Sequence, residues 1–205
     1  ITAIFKDLAG YQLGVKDNRA KLVASMVLDA QKAGSANRTD LSARLAKVAA
    51  DAKATADGRI FACRQLALIG EDNALASLVG ILADAKVGHW ARRALEAIPG
   101  QAADAALVQA LGQTKGLVQA GVAESLGARQ VQGAVSALTP LVGSQDVTVA
   151  TAAADALGRI GGKQAAEALR AAKAKTAVRG AIARGVLACA ETARAGGRNP
   201  EAAQS

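Results

Sequence analysis

Ala156-Leu157-Gly158-Arg159-Ile160-Gly161 decides how this chain is read, because its phrasing comes back along the sequence. Upstream stand Leu66-Ala67-Leu68-Ile69-Gly70, Ala94-Leu95-Glu96-Ala97-Ile98-Pro99-Gly100 and Ser125-Leu126-Gly127, and a degenerate copy ends in Gly185-Val186-Leu187. With Leu66, Leu95, Leu126, Leu157 and Leu187 as anchors, the spacings are 29, 31, 31 and 30 residues. Self-similarity at so steady a period marks a repeat architecture.

Each unit reads as two helices. In the second helix of one unit, Leu75, Leu78, Val79 and Leu82 fall on one amphipathic face. Leu107, Ala110 and Leu111, then Val135, Leu138 and Val142, then Leu169 continue that face in later units. Gly70, Gly100, Gly127 and the Gly161-Gly162 pair stand where a left-handed residue would end the first helix. A short connection sends the second helix back antiparallel, and neither helix can cover its apolar face alone. The units must stack, so the expected fold is an all-α solenoid of helical hairpins.

Composition agrees. Apolar residues make up 51% of the 205 but aromatics only 2%, so the core is built from thin Leu/Ala layers rather than from bulky rings. Residues 57–195 read as repeats of about 30 residues. Residues 1–56 match them poorly and read as an atypical capping region, with helices near 2–14, 17–33 and 40–55 and with Asp17 and Thr39 as N-caps. Gly196-Gly197-Arg198-Asn199-Pro200 reads as the stop of the last helix, and residues 196–205 as a tail or the start of another unit. A start at Ile1 instead of Met reads as processing or as a piece of a longer protein. No run of about 18 uncharged apolar residues occurs, so no membrane-spanning helix is expected.

The Leu157–Gly161 ending, followed by an Ala-rich helix with a central Leu, resembles the short HEAT-like repeat named after phycobilisome lyases, over residues 57–190. Cys63–Gly70 and Ala91–Pro99 resemble HEAT-repeat proteins of planctomycete- and verrucomicrobium-like bacteria. Such proteins are often exported and joined to further domains, so the resemblance favours an extracytoplasmic location, with a cytoplasmic one as the alternative. The resemblance implies a right-handed α-α superhelix, a solenoid of HEAT-like repeats; the repeat is a fold signature and implies no activity of its own.

The charge of +8 is unevenly spread: residues 1–56 carry net +4, residues 57–154 net −1 and residues 155–205 net +5. A duplex-binding groove wants a continuous basic stripe, which the near-neutral middle does not offer. Cys63 and Cys189 lack CxxC spacing and histidine neighbours, and read as small buried hydrophobes with no disulfide between them. His89 and Trp90, each the only one of its kind, stand at the start of a first helix, and read as a helix-start residue and a core filler. One histidine lacks the His-Glu pairs of the iron-binding HEAT hydroxylases, so no metal site is expected. Gly158–Gln164 is no phosphate loop: it lacks GxxxxGK[ST] and follows a helix, so it reads as a turn. Asn37-Arg38-Thr39 matches a glycosylation sequon, with Thr39 read as a cap instead.

No catalytic residue and no cofactor are expected. The expected function is a non-catalytic protein–protein interaction scaffold. Its partner face would lie on the second helices, whose outward rows are Ser77, Ala106, Ala137 and Ala168, then Gly80, Gln109, Pro140 and Ala171. Arg92, Arg93 and Arg129 would serve as exposed rim contacts. The alternative is a basic HEAT-like nucleic-acid-binding protein or DNA glycosylase-like enzyme, which two Phe, one Tyr and one Trp equip poorly for base stacking. A bilin-lyase-like or chaperone-like role is invited by the repeat's name, without residues that mark a tetrapyrrole site.

Overall fold

The computed structural model describes residues 2–15, 18–32 and 37–198. Among them there is no strand. Twelve α-helices follow one another: α1 (Thr2–Leu8), α2 (Asn18–Ala30), α3 (Arg38–Ala50), α4 (Ala56–Ile69), α5 (Leu75–Gly80), α6 (Gly88–Ala97), α7 (Gln101–Gln113), α8 (Gly116–Ala128), α9 (Val135–Leu138), α10 (Val147–Ile160), α11 (Gly162–Ala171) and α12 (Arg179–Arg198). This is the all-α solenoid of helical hairpins that the anchors predict. The first helices of the units are α4, α6, α8, α10 and α12; the second are α5, α7, α9 and α11. The chain divides into two compact units, residues 1–106 and 107–205.

In the first unit, α4 packs on α6 and α5 on α6, while α2 packs on α4 and α3 on α5. Residues 18–50 therefore form one more hairpin in the same file. The anchors skip it because the connection between α2 and α3 is longer and breaks the period. In the second unit, α10 packs on both α8 and α12, and α11 packs on α12. The anchors Leu66, Leu95, Leu126 and Leu157 are wholly buried. Each such leucine stabilises its layer by about 2 kcal/mol.

Leu187 does not join them: it is 64% exposed. A Cβ on Gly127 would meet Ala156 of the next first helix, and a Cβ on Gly158 would meet Gly185. Gly185 thus takes the place of Ala156, and half-buried Val186, not Leu187, takes that of Leu157. The last spacing is 29, one less than the pattern gives. Only the packed register shows this, since Val186 and Leu187 are both apolar.

The glycines also act differently from the expectation. Gly100, Gly161 and Gly162 do have positive φ (99°, 70° and 81°). Gly70 has φ −56°, and Gly127 lies inside α8. Their requirement is space: a Cβ on Gly70 would sit 2.8 Å from the Ile98 side chain, and one on Gly127 2.7 Å from the Ala156 Cα. After α8 the left-handed position falls on Gln130, at φ 53°.

Thr39 is not an N-cap: α3 begins at Arg38 after Asn37, and the Thr39 carbonyl accepts from Asn73 Nδ2 at 3.0 Å. Asp17 lies outside the described residues. Caps that the sequence reading passed over hold α4 and α10. The Thr55 hydroxyl accepts from the Gly58 N–H at 3.0 Å, and Asp146 accepts from the Thr148 and Val149 N–H groups at 2.9 and 3.3 Å. Helix α1 ends at Leu8 instead of 14, the chain then turning through Gly10 and the positive-φ Gly14. At the other end α12 runs through Gly196-Gly197 to Arg198, while Asn199 and Pro200 lie outside the described residues. The second helices α5 and α9 are short. A 3-10 turn precedes each, and another follows α9 at Thr139–Gly143, where Pro140 cannot donate to a helical ladder.

Neighbouring hairpins are tied by polar bonds about one repeat long. Arg38 Nε donates to the Ile69 carbonyl at 3.3 Å, Gln132 Nε2 to the Ile160 carbonyl at 2.9 Å, and Arg184 pairs with Asp155 at 3.1 Å. Carbonyls at the ends of α4 and α10 thus find partners one layer away.

Candidate interaction surface

The rows expected on the second helices are placed as follows. Ser77, Ala106, Ala137 and Ala168 are half-buried; Gly80, Gln109, Pro140 and Ala171 are exposed. Ser77 and Gly80 belong to the first unit, Gln109 and Pro140 to the second. Only the second row stands clear of its own unit, because it lies three residues further around each helix from the buried face.

The three arginines lie on the first helices, or just past one, and differ among themselves. Arg92 is not an exposed rim group: its side chain is 15% exposed and pairs with Glu96 at 3.4 Å, one turn along α6. Arg93 is exposed and reaches the same carboxylate. Arg129 follows α8 and is half-buried.

A feature that sequence reasoning misjudged lies on the outer face of α4 and α6. Trp90 is half-buried, not a core filler. The Arg64 guanidinium stands 5.6 Å from its ring centroid, and exposed His89 meets it edge-on at 5.6 Å. Leu68, one turn beyond Arg64 on α4, is 48% exposed. The signal was available: Trp90 stands near the start of α6 close to Arg92 and Arg93, and the buried core is mostly aliphatic. The indole and guanidinium, side chains enriched at the centres of protein interfaces, stand here beside an exposed leucine as an apolar and cationic platform.

Two grooves open elsewhere. One, of about 480 Å³, lies between α1 and α3 on buried Phe5, with Lys6, Lys47 and Lys53 alongside Asp40 and Asp51. Asp40 is held below the ordinary carboxylate range first by its hydrogen bond from Arg44. The other, of about 430 Å³, lies between α11 and α12. Neither collects a set of titratable groups suited to acid–base work, and among the described residues no three His, Cys, Asp or Glu side chains gather as metal ligands. The two cysteines are free and buried, with the Cys63 thiol pushed up to about 12 by burial. Gly158–Gln164 is not one turn: it spans the end of α10, the linking Gly161 and the start of α11. No helix among the described residues is long and apolar enough to cross a membrane.

Residues 105–187 match the family model of HEAT repeats. The match runs from α7 into α12. Two solved structures align along most of the chain. The crystal structure of an engineered protein shares 21% identity, covering 93% of this chain and 98% of that one, with a TM-score of 0.48. Human deoxyhypusine hydroxylase in complex with glycerol shares 16% identity over 93% of this chain and 96% of that one, with a TM-score of 0.46. No curated protein matches the chain.

Proposed function

We propose that this HEAT-repeat chain is a non-catalytic scaffold that binds a protein partner. The observation that carries the reading is the placement of its single tryptophan. Trp90 sits half-exposed on α6 beneath Arg64, with Leu68 exposed one turn away, although the same helix buries Ala91, Ala94 and Leu95 completely. A half-open indole leaves apolar area in water, a cost that binding a partner would remove. HEAT repeats as a class hold extended surfaces out for other proteins. The exposed row of Gly80, Gln109, Pro140 and Ala171 supplies a second, small-residue surface that a partner backbone could approach closely.

The test is affinity capture with chemical crosslinking, comparing the wild type with a Trp90→Ala/Leu68→Glu variant shown by circular dichroism to keep its helices. A partner crosslinked to α4 or α6 by the wild type and lost with the variant supports the reading. Equal recovery by both removes the platform from the interface. Salt-dependent binding of duplex DNA would favour the nucleic-acid alternative.

A further inference from the structure

The groove between α11 and α12 joins an apolar floor to a purely cationic rim. Leu169, Ile182 and Val186 form the floor; Arg170, Lys173 and Arg179 stand around it, and no carboxylate lines it. These three cations have no hydrogen bond or ion pair among the described residues, unlike Arg184, which pairs with Asp155.

The preceding layer shows what such a groove accepts. By the register that sets Gly185 in the place of Ala156, Arg179, Ile182 and Val186 correspond to Ala150, Ala153 and Leu157 of α10. Those three are wholly buried, and α10 is covered by its own second helix, α11. On α12 the same face is half-buried or exposed: α11 flanks it, and among the described residues no following second helix covers it. The open place therefore corresponds to the one that α11 fills in the preceding layer. Its chemistry has also changed: Arg179 stands where the layer before has buried Ala150, and Lys173, taking Leu169 as the counterpart of Leu138, stands where it has buried Val142. A surface meant only for solvent would carry polar residues across the floor as well, yet Ile182 and Val186 remain and Leu187 beside them is 64% exposed.

We propose that this groove docks an acidic amphipathic helix of a protein partner, its apolar stripe on Ile182 and Val186 and its carboxylates against Arg170, Lys173 and Arg179. This is helix-in-groove recognition with charge complementarity setting the choice of partner. Nucleic acid fits less well, because three cations over an aliphatic floor without aromatic side chains give bases nothing to stack on. A second copy of the chain is also disfavoured, since its net charge is +8. The proposal rests on the scaffold reading but uses a site other than the Trp90 platform.

The experiment measures fluorescence anisotropy of the full chain with three labelled probes. They are a designed helical peptide with leucines at i, i+3, i+4 and i+7 flanked by glutamates, the same peptide with lysines for glutamates, and a short duplex DNA. Saturable binding of the acidic peptide is expected. It should weaken about tenfold in Arg170→Glu/Lys173→Glu/Arg179→Glu and stay unchanged in Trp90→Ala. Because these side chains are exposed, the triple variant should melt like the wild type; Val186→Gln gives an independent loss through the floor. Failure of the acidic peptide to bind, equal binding of the basic one, or equal binding by the triple variant overturns the proposal. So does tighter binding of the DNA, or a groove filled by self-association in sedimentation velocity. If partner capture at the Trp90 platform persists while the acidic peptide fails, the scaffold reading stands and this groove is not its docking site.

Discussion

Where α10 meets its neighbours in the second unit, the helices touch through their backbones. A Cβ on Gly127 would lie 2.7 Å from the Ala156 Cα, and one on Gly158 2.6 Å from the Gly185 Cα. In the first unit, the layer of α3, α4, α5 and α6 is held by side chains. The Ser42 hydroxyl donates to Asn73 Oδ1 at 2.7 Å and accepts from the Glu71 N–H at 3.0 Å. Arg59 bridges the Ala49 carbonyl and Asp84, at 2.9 and 2.7 Å. One hairpin plan thus admits two ways of fixing the register between layers. Small residues fix it by excluded volume, which tolerates no added atom. Hydrogen-bonded side chains fix it by satisfying groups that would otherwise be buried without partners.

The sharpest way to break the contrast is to add bulk where backbones touch. Gly158→Val should destabilise the chain by about 3 kcal/mol in urea unfolding, because the opposing Cα cannot rotate away as a side chain could. A loss under 1 kcal/mol would show that α10 and α12 are not in backbone contact. Next in size is the polar latch of the first unit. Ser42→Ala should cost about 1–2 kcal/mol by the same measurement, since it leaves Asn73 Oδ1 and the Glu71 N–H without their partner.

A smaller effect separates the units by pH. Asp84 lies below its ordinary value of 3.8, held there first by the Lys86 N–H, then by the Arg59 hydrogen bond. A depressed carboxylate stabilises the fold above about pH 4, where the unfolded chain has also lost its proton, and that contribution disappears as pH falls through the folded value. Asp84→Asn should therefore narrow the gap between urea midpoints at pH 7 and pH 3. An unchanged gap would mean that the pair contributes nothing measurable. The least effect is on the thiols, which read local opening without altering stability. Burial raises both pKa values, Cys63 to about 12, so Ellman's reagent at pH 8 should label neither quickly. Cys189, on α12, should react before Cys63, on α4; the reverse order would show the first unit to be the looser one.

The candidate surfaces were only partly legible beforehand. Spacing puts Gly80, Gln109, Pro140 and Ala171 on one row, and all four are exposed, because helical periodicity fixes which residues oppose the buried Leu78, Leu107, Leu138 and Leu169. It could not show that Arg92 is tied to Glu96, since Arg93 competes for the same carboxylate from the next position in sequence. It also could not show that Trp90 stays half-open, which depends on where Arg64 of another helix lies.

By itself the sequence determined the helices of the repeats, their pairing and their period, because a leucine about every thirty residues and a short link after each first helix are local demands on the backbone. Only the tertiary structure decided the register of the last layer, where Gly158 admits Gly185 and sets Val186 in the place of Leu157. The same holds for the work of Gly70 and Gly127, which make room for a neighbouring layer while keeping ordinary helical or extended dihedrals. Contacts between layers join residues about a repeat apart, and the pattern within one repeat does not state which of its atoms will meet the next.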